Sequence, residues 1–558
     1  MRLTGRSGKK TARMVVLVVL VALAALLVPI LGVLPPAHFF RFDDFPWLTW
    51  AATHQIRDAF SPSQLAGISA GFRPVHALFW IFGYRVFGPD SAVPWILLSS
   101  SFFAAGLVIM LLWGERLDGR GAGSGVTAVA IWFAGFFPMT YFLLNVFNNG
   151  KTIAFFLIPV TIWSGVTLYD RRRFRRLPLF LAMFLVCLFT RESSLAIVPL
   201  ALGTYVLMDL RERGRPLLPI LLIVALSVAG LLLAAVASSP WRRDALLGLV
   251  RDPDPSRWLG GVRYYASELL WNGYRRYLWL GLIASASLLS GRRRLAAASF
   301  ATLLSGFFLP RVAAVLALIV LLIFWAMPGS KLRYALLAWF VAGFGVLLPL
   351  RAHHESYFLE ASFPLCLFLG LEMGPALAPI VGRVRGFSSA ALGAWRWRIL
   401  PPAAIALALL ASATVVGWRV FERELLPIKR HGSDFAEANR FLVRTLPRGS
   451  RVYVIDESEY GLELRDYLRR FRRFYLWPGH PECWFAAYGR PDVEVLPWRG
   501  EEGMLRPPAY LFASNPHERS LFRERPAAMG MTLLFENRSC AVFGFRDPSG
   551  AEATERGT

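Results

Sequence analysis

The strongest constraint on this chain is a series of apolar stretches, each about as long as one membrane crossing and most of them bounded by arginine. A hydrocarbon core of about 30 Å takes about 20 helical residues. Met14 to Leu34, Pro94 to Trp113, Val126 to Leu144 and Thr152 to Tyr169 are the first four such stretches. Across all 558 residues, 55% are hydrophobic, and the mean hydropathy is +0.46. That is more apolar mass than a soluble domain carries, so the chain reads as a polytopic membrane protein.

The charge distribution orients it. There are 61 Lys and Arg against 37 Asp and Glu, a net charge of +24. Much of the excess lies in short loops between apolar spans, where it reports topology and contact with anionic lipid rather than nucleic acid. Arg2, Arg6, Lys9, Lys10 and Arg13 precede the first span. That span is too long for a signal peptide and is read as an uncleaved helix starting in the cytoplasm. Arg171, Arg172, Arg173, Arg175 and Arg176 form the strongest cytoplasmic marker, and Arg211, Arg213 and Arg215 form another. Between them, residues 177–209 would make one helix of about 50 Å. Both ends cannot then be cytoplasmic, so the stretch is expected to be two short helices with Arg191-Glu192 at the far side. The same logic divides residues 295–327 at Pro310-Arg311.

Further spans are expected at 217–236, 278–290, 334–350, 363–380 and 399–418, giving about thirteen crossings. The fold class is therefore an all-α polytopic membrane domain over 1–418, followed by a small extracytoplasmic α/β domain over 419–546 and a disordered tail at 547–558. In the α/β part, Asp434 to Leu446 reads as an amphipathic helix and Arg451 to Ile455 as a strand. Within the membrane domain, 35–92 is a first outer loop whose apolar, Arg-containing segments suit interfacial helices. Asn145 to Lys151 reads as a short polar loop. The seven arginines of 238–276, Arg275 among them, read as a solvated or lipid-facing surface. Cys187 and Cys366 are core thiols; Cys483 and Cys540 can pair if their side is oxidising or stand as free thiols. No zinc-like spacing is present, and a divalent metal is left open as a cofactor.

On this topology the unusual polar residues gather at one outer boundary. They are Asp43 and Asp44 after the first span, Arg73, Lys151, Arg191, Glu192, Arg351, His354 and Glu355. Carboxylates at a membrane edge are costly unless used. Asp43 suits a general base toward a hydroxyl, with Asp44 orienting it. Arg73, Lys151, Arg191 and Arg351 suit a lipid phosphate, with Glu192, His354 and Glu355 positioning those cations or a sugar.

Three stretches carry a family resemblance. Phe42-Asp43-Asp44 is similar to the acidic motif in the first outer loop of the GT-C glycosyltransferases. Phe72-Arg73-Pro74 with the following Phe87-Gly88, and Arg191-Glu192 running on to Pro199, resemble two stretches of the mannosyltransferase-like branch of that family. His353-His354-Glu355-Ser356-Tyr357 sits where these enzymes often end a loop with a charged residue and Tyr. The chain departs from the branch at Phe136 to Tyr141, which lacks a His-Pro and acid. The resemblance implies an inverting transferase in the cytoplasmic membrane. It would take a sugar from a polyprenyl-phosphate donor to a glycan, lipid or protein acceptor. Two other classes compete. A transporter or flippase of a lipid-linked intermediate would carry ionisable groups near mid-membrane, often in two related halves. A non-catalytic scaffold would tolerate loss of Asp43.

Overall fold

A computed structural model of the chain describes residues 15–23, 44–66, 73–89, 92–117, 123–136, 149–171, 174–191, 193–213, 255–266, 275–289, 292–308, 310–326, 330–347, 358–382, 408–416, 418–419, 437–438, 440–455, 490, 492–498, 509–513, 530–537 and 540–545. The labelled helices are α1 (Asp44–Thr53), α2 (Pro74–Phe87), α3 (Val93–Leu117), α4 (Ser124–Phe136), α5 (Asn149–Arg171), α6 (Leu177–Thr190) and α7 (Ser194–Glu212). They continue with α8 (Pro255–Tyr264), α9 (Arg275–Leu289), α10 (Arg293–Phe308), α11 (Pro310–Ala326), α12 (Lys331–Gly345) and α13 (Leu359–Gly382). Helical turns at Ile56–Phe60 and Pro62–Ala66 link α1 towards α2.

Three of these helices, α3, α5 and α7, are long and apolar enough to cross a membrane, and shorter apolar helices stand beside them. The expected spans at 217–236 and most of 399–418 lie outside the described residues, so the crossing count extends beyond what the structure describes. The two length arguments hold. Residues 177–209 divide into α6 and α7 with Arg191 in the turn, and the 295–327 stretch divides into α10 and α11. Two expectations are corrected. Asn149, Gly150 and Lys151 are not loop but the first turn of α5. The first N–H groups of a helix need no intrahelical partner, so Asn and Gly cost little there. Within 238–276, Pro255–Tyr264 is helical, and Arg275 is buried rather than lipid-facing, its Nε donating to the Gly135 carbonyl at 3.1 Å. That bond satisfies a carbonyl in the last turn of α4.

Small residues set the tightest crossing. Gly370 and Gly374 of α13 lie one turn apart and face α4: a Cβ on Gly370 would stand 2.6 Å from the Ser124 carbonyl oxygen, and one on Gly374 2.5 Å from the Ser124 Cα. This is the small-xxx-small contact by which membrane helices bring their backbones together. Around it runs an aromatic core. Trp132 donates to Ser362 Oγ at 2.9 Å, and Phe155, Trp339 and Trp113 lie against Phe363.

The charged side chains of this bundle fall at two levels. On α5, Lys151 and Asp170 are separated by roughly 28 Å of helix, close to the thickness of a hydrocarbon core. At the Asp170 level, Lys331 Nζ reaches Asp209 Oδ1 at 2.7 Å and Asp170 Oδ1 at 3.3 Å. Tyr169 donates to Asp209 at 2.7 Å and Tyr205 to Asp170 at 2.9 Å. This ties the ends of α5 and α7 to the start of α12. The other level holds the candidate site.

The C-terminal part is a five-stranded mixed sheet in the order β2-β1-β3-β5-β4, from β1 (Arg451–Ile455), β2 (Glu494–Trp498), β3 (Ala509–Ala513), β4 (Met531–Glu536) and β5 (Ala541–Phe545). β1 runs parallel to β2 and β3, while β5 runs antiparallel to β3 and β4. Leu442 and Leu446 from the preceding helical segment share one buried cluster with Val452, Phe512 and Val542 of the sheet, and with Trp47, Trp80 and Trp95 of α1 to α3. The sheet thereby adjoins the α1–α2 layer. Cys540 is buried there; Cys483 lies outside the described residues.

Candidate functional site

α2 begins with Arg73 followed by Pro74, whose fixed φ suits the first helical position. This start turns His76 inward, where it is 2% exposed. Trp80, one turn on, donates from Nε1 to His76 Nε2 at 3.2 Å. Indole nitrogen only donates, so Nε2 is the accepting nitrogen and the neutral ring carries its proton on Nδ1. Trp47 of α1 meets the His76 ring edge to face at 4.5 Å, and Trp47 and Trp80 stack at 6.2 Å. α1 itself starts at Asp44, so the acidic stretch leads directly into the helix that covers His76.

The opposite side of the ring is closed by the first turn of α5. A Cβ on Gly150 would lie 3.0 Å from His76 Nδ1, and the Asn149 amide lies against the ring. Lys151 follows, 8% exposed. Burial holds the His76 imidazolium down to about 3; the charge of Arg73 acts in the same direction, as do those of Arg191 and Lys151. The histidine is therefore neutral at physiological pH, surrounded by cations.

Arg191 occupies the turn between α6 and α7. Its N–H donates to the Cys187 carbonyl at 3.1 Å, and Ser194 Oγ donates to the Arg191 carbonyl at 2.6 Å. Its guanidinium Nε meets Glu360 Oε1 at 2.6 Å, with the two side chains 11% and 3% exposed. Ser193 Oγ donates to the other oxygen of Glu360. Glu360 lies in the first turn of α13, so the pair joins the α6–α7 turn to the start of that helix.

Of the residues expected from the sequence, the structure brings Arg73, Lys151 and Arg191 into one charged neighbourhood around His76. Asp44 is placed by its backbone at the head of α1. Asp43, Glu192, Arg351, His354 and Glu355 lie outside the described residues. Among the described residues no three His, Cys, Asp or Glu side chains stand together as a metal site requires. Sequence reasoning missed Glu360. Its signal was present: an acid alone in the apolar run from Phe358 to Leu371, and an ionisable residue inside a membrane helix is a functional candidate by default. It also passed over His76 as a site residue.

Three guanidinium or ammonium groups against one carboxylate, beside a neutral imidazole, suit an anionic group such as a phosphate. No protein-family model matches the chain, and no curated protein matches it. Among solved structures, the crystal structure of ArnT from Cupriavidus metallidurans in the apo state is similar over 97% of this chain and 98% of that one, at 15% identity and a TM-score of 0.42.

Proposed function

We propose that the chain is a GT-C-type membrane glycosyltransferase, of the mannosyltransferase-like branch, that moves a sugar from a polyprenyl-phosphate donor to an acceptor hydroxyl. The observation that carries this reading is the buried Arg191–Glu360 pair in one layer with Arg73, His76 and Lys151, next to the helix that Asp44 opens. A phosphate linked to a long apolar chain needs cations at the edge of the apolar bundle, and a sugar acceptor needs a carboxylate nearby.

In the proposed reaction the Asp43 carboxylate takes the acceptor's hydroxyl proton, and Asp44 orients the acceptor. The acceptor oxygen attacks the anomeric carbon from the face opposite the phosphate. The bond from that carbon to the phosphate oxygen breaks, its electron pair leaves with the phosphate, and the sugar is inverted. Arg191, held in place by Glu360, and Arg351 bind the phosphate with Lys151 and Arg73, while Glu192, His354 and Glu355 position the sugar or these cations. The layer lies at the outer face of the cytoplasmic membrane, and the sheet domain sits on the same side. Acceptors of this class are glycans, lipids or proteins.

The test is an Asp43→Asn variant assayed in membranes with a lipid-phosphate sugar. Transfer should fall about a hundredfold or more at unchanged protein level. Undiminished transfer would end the assignment.

A further inference from the structure

The end of the bundle away from His76 holds a second group of charges, unevenly matched. Arg333, in the first turn of α12, has its guanidinium fully engaged. Its Nη1 donates to Glu372 Oε1 at 2.7 Å, its Nε to the Trp325 carbonyl at 2.9 Å, and its Nη2 to the Phe324 carbonyl. Arg292, at the turn between α9 and α10, turns to the same carboxylate without reaching it. Its Nη1 lies 3.7 Å from Glu372 Oε2, beyond hydrogen-bond distance, and is buried with no hydrogen-bond partner. The Arg292 side chain is still 25% exposed, so an anion can approach it from outside. Both guanidiniums lie over the Phe324 ring, at 5.4 and 5.5 Å. Arg293 and Arg294 follow, exposed and without an ion pair among the described residues.

These arginines stand at a helix start, where the dipole disfavours cations. No acid sits in the first turn of α10 to offset them. The first N–H groups of a helix also lack intrahelical acceptors. An anion at this place meets all three needs. The rest of α10 indicates what the anion belongs to. Leu295, Ala296, Ser299 and Thr302 are buried, whereas Arg293, Ala297, Phe300 and Leu304 are exposed. Steps of four, three and four residues put the exposed set on one stripe. From Arg293 to Leu304 it runs about 16 Å, half of a hydrocarbon core of about 30 Å. We propose that this corner binds one anionic phospholipid, its phosphate on Arg292 and Arg293 and one acyl chain along Ala297, Phe300 and Leu304. Loop arginines attract anionic lipid in general. Here an unmatched guanidinium and an apolar lane one leaflet deep single out one place. Arg333 shares the first turn of α12 with Lys331, which pairs with Asp170, so the lipid lies in the leaflet opposite the candidate site. It takes no part in the proposed sugar transfer.

The experiment is native mass spectrometry of the full chain released from detergent at low ionic strength. Phosphatidylglycerol and phosphatidylcholine with identical acyl chains are added at equal concentration. Bound phosphatidylglycerol should exceed phosphatidylcholine roughly twentyfold, about fivefold for each of two arginines. Arg293→Gln alone, at an exposed position, should lower the ratio about fivefold, and Arg292→Gln with Arg293→Gln should bring it near one. Arg175→Gln with Arg176→Gln removes the same charge from exposed arginines beside the start of α6 and should leave the ratio unchanged. Equal loss in the two double variants would mean diffuse attraction and overturn the site, as would equal binding of the two lipids by the native chain. Inorganic phosphate at the lipid concentration should not displace phosphatidylglycerol; displacement would show that the site takes free phosphate and overturn the lipid assignment.

Discussion

The Arg191 guanidinium and the Glu360 carboxylate meet at 2.6 Å across two helices that the chain order separates widely, and both side chains are almost wholly buried. Removing one member leaves the other charged without a partner, which costs about 3–5 kcal/mol in buried pairs. Glu360→Ala should therefore lower the unfolding free energy of the detergent-solubilised protein by about 3 kcal/mol. In a double-mutant cycle with Arg191→Met, the coupling should exceed about 1 kcal/mol. Additive single effects would show that the two groups do not act as a pair.

Gly150 leaves no room beside His76. A methyl group there would sit 3.0 Å from Nδ1, and the ring is held by Trp47 and Trp80 on its other sides. Gly150→Ala should cost about 1–3 kcal/mol by overpacking. Gly345→Ala, at a helical glycine with open space around it, should be neutral or slightly stabilising. Equal thermal midpoints for the two variants would contradict the close approach.

His76 makes folding sensitive to acid. Its folded value of about 3 lies below the ordinary value of 6.5. The unfolded chain therefore binds the extra proton first as pH falls. The stabilisation that His76 contributes is complete above about pH 6.5 and declines as pH drops from there towards 3, by up to about 1.4 kcal/mol per pH unit. The difference in stability between the native chain and a His76→Gln variant should shift by roughly 2 kcal/mol between pH 7 and pH 5. A difference that does not move with pH would mean the imidazole is protonated or exposed.

At the other level of the bundle, Lys331 neutralises Asp209 and Asp170 together. Lys331→Met removes the bridge but leaves Asp209 paired with Arg213 and Asp170 with the Tyr205 hydroxyl, so it should destabilise the protein by only about 1–2 kcal/mol. Adding Asp209→Asn should not recover that loss, because Asp209 keeps Arg213 at 3.0 Å and the Tyr169 hydroxyl as partners. A double variant more stable than Lys331→Met would show that Arg213 and Tyr169 do not compensate Asp209.

Much of the helical frame was legible because length and charge leave few options. A stretch bounded at both ends by arginines and too long for one crossing has to fold back, and both such stretches do, at Arg191 and at Pro310. The topology put Arg73, Lys151 and Arg191 at one boundary without forcing them together; that they surround His76 is read from the structure. Glu360 was not legible as a partner, because the pairing is set by tertiary packing: its other contact, Ser193, is 167 residues away. Asn149 to Lys151 read as a turn because Asn and Gly favour turns, yet a helix start tolerates both. Arg275 read as surface because loop arginines usually are, whereas here it caps a helix end. In the sheet only β1 was expected. β3, Ala509 to Ala513, is buried at four of its five positions and so shows no alternation to read.

The contact of Gly370 and Gly374 with Ser124 has a mechanical consequence. Backbone resting on backbone leaves no flexible side chain to absorb sliding, so α4 and α13 behave as one stiff wall, with Glu360 mounted at its end. Arg191 is anchored to that wall through Glu360. For the proposed lipid-linked donor, this leaves displacement on the side of α1 and α2, where the lining is aromatic rings rather than interlocked main chain.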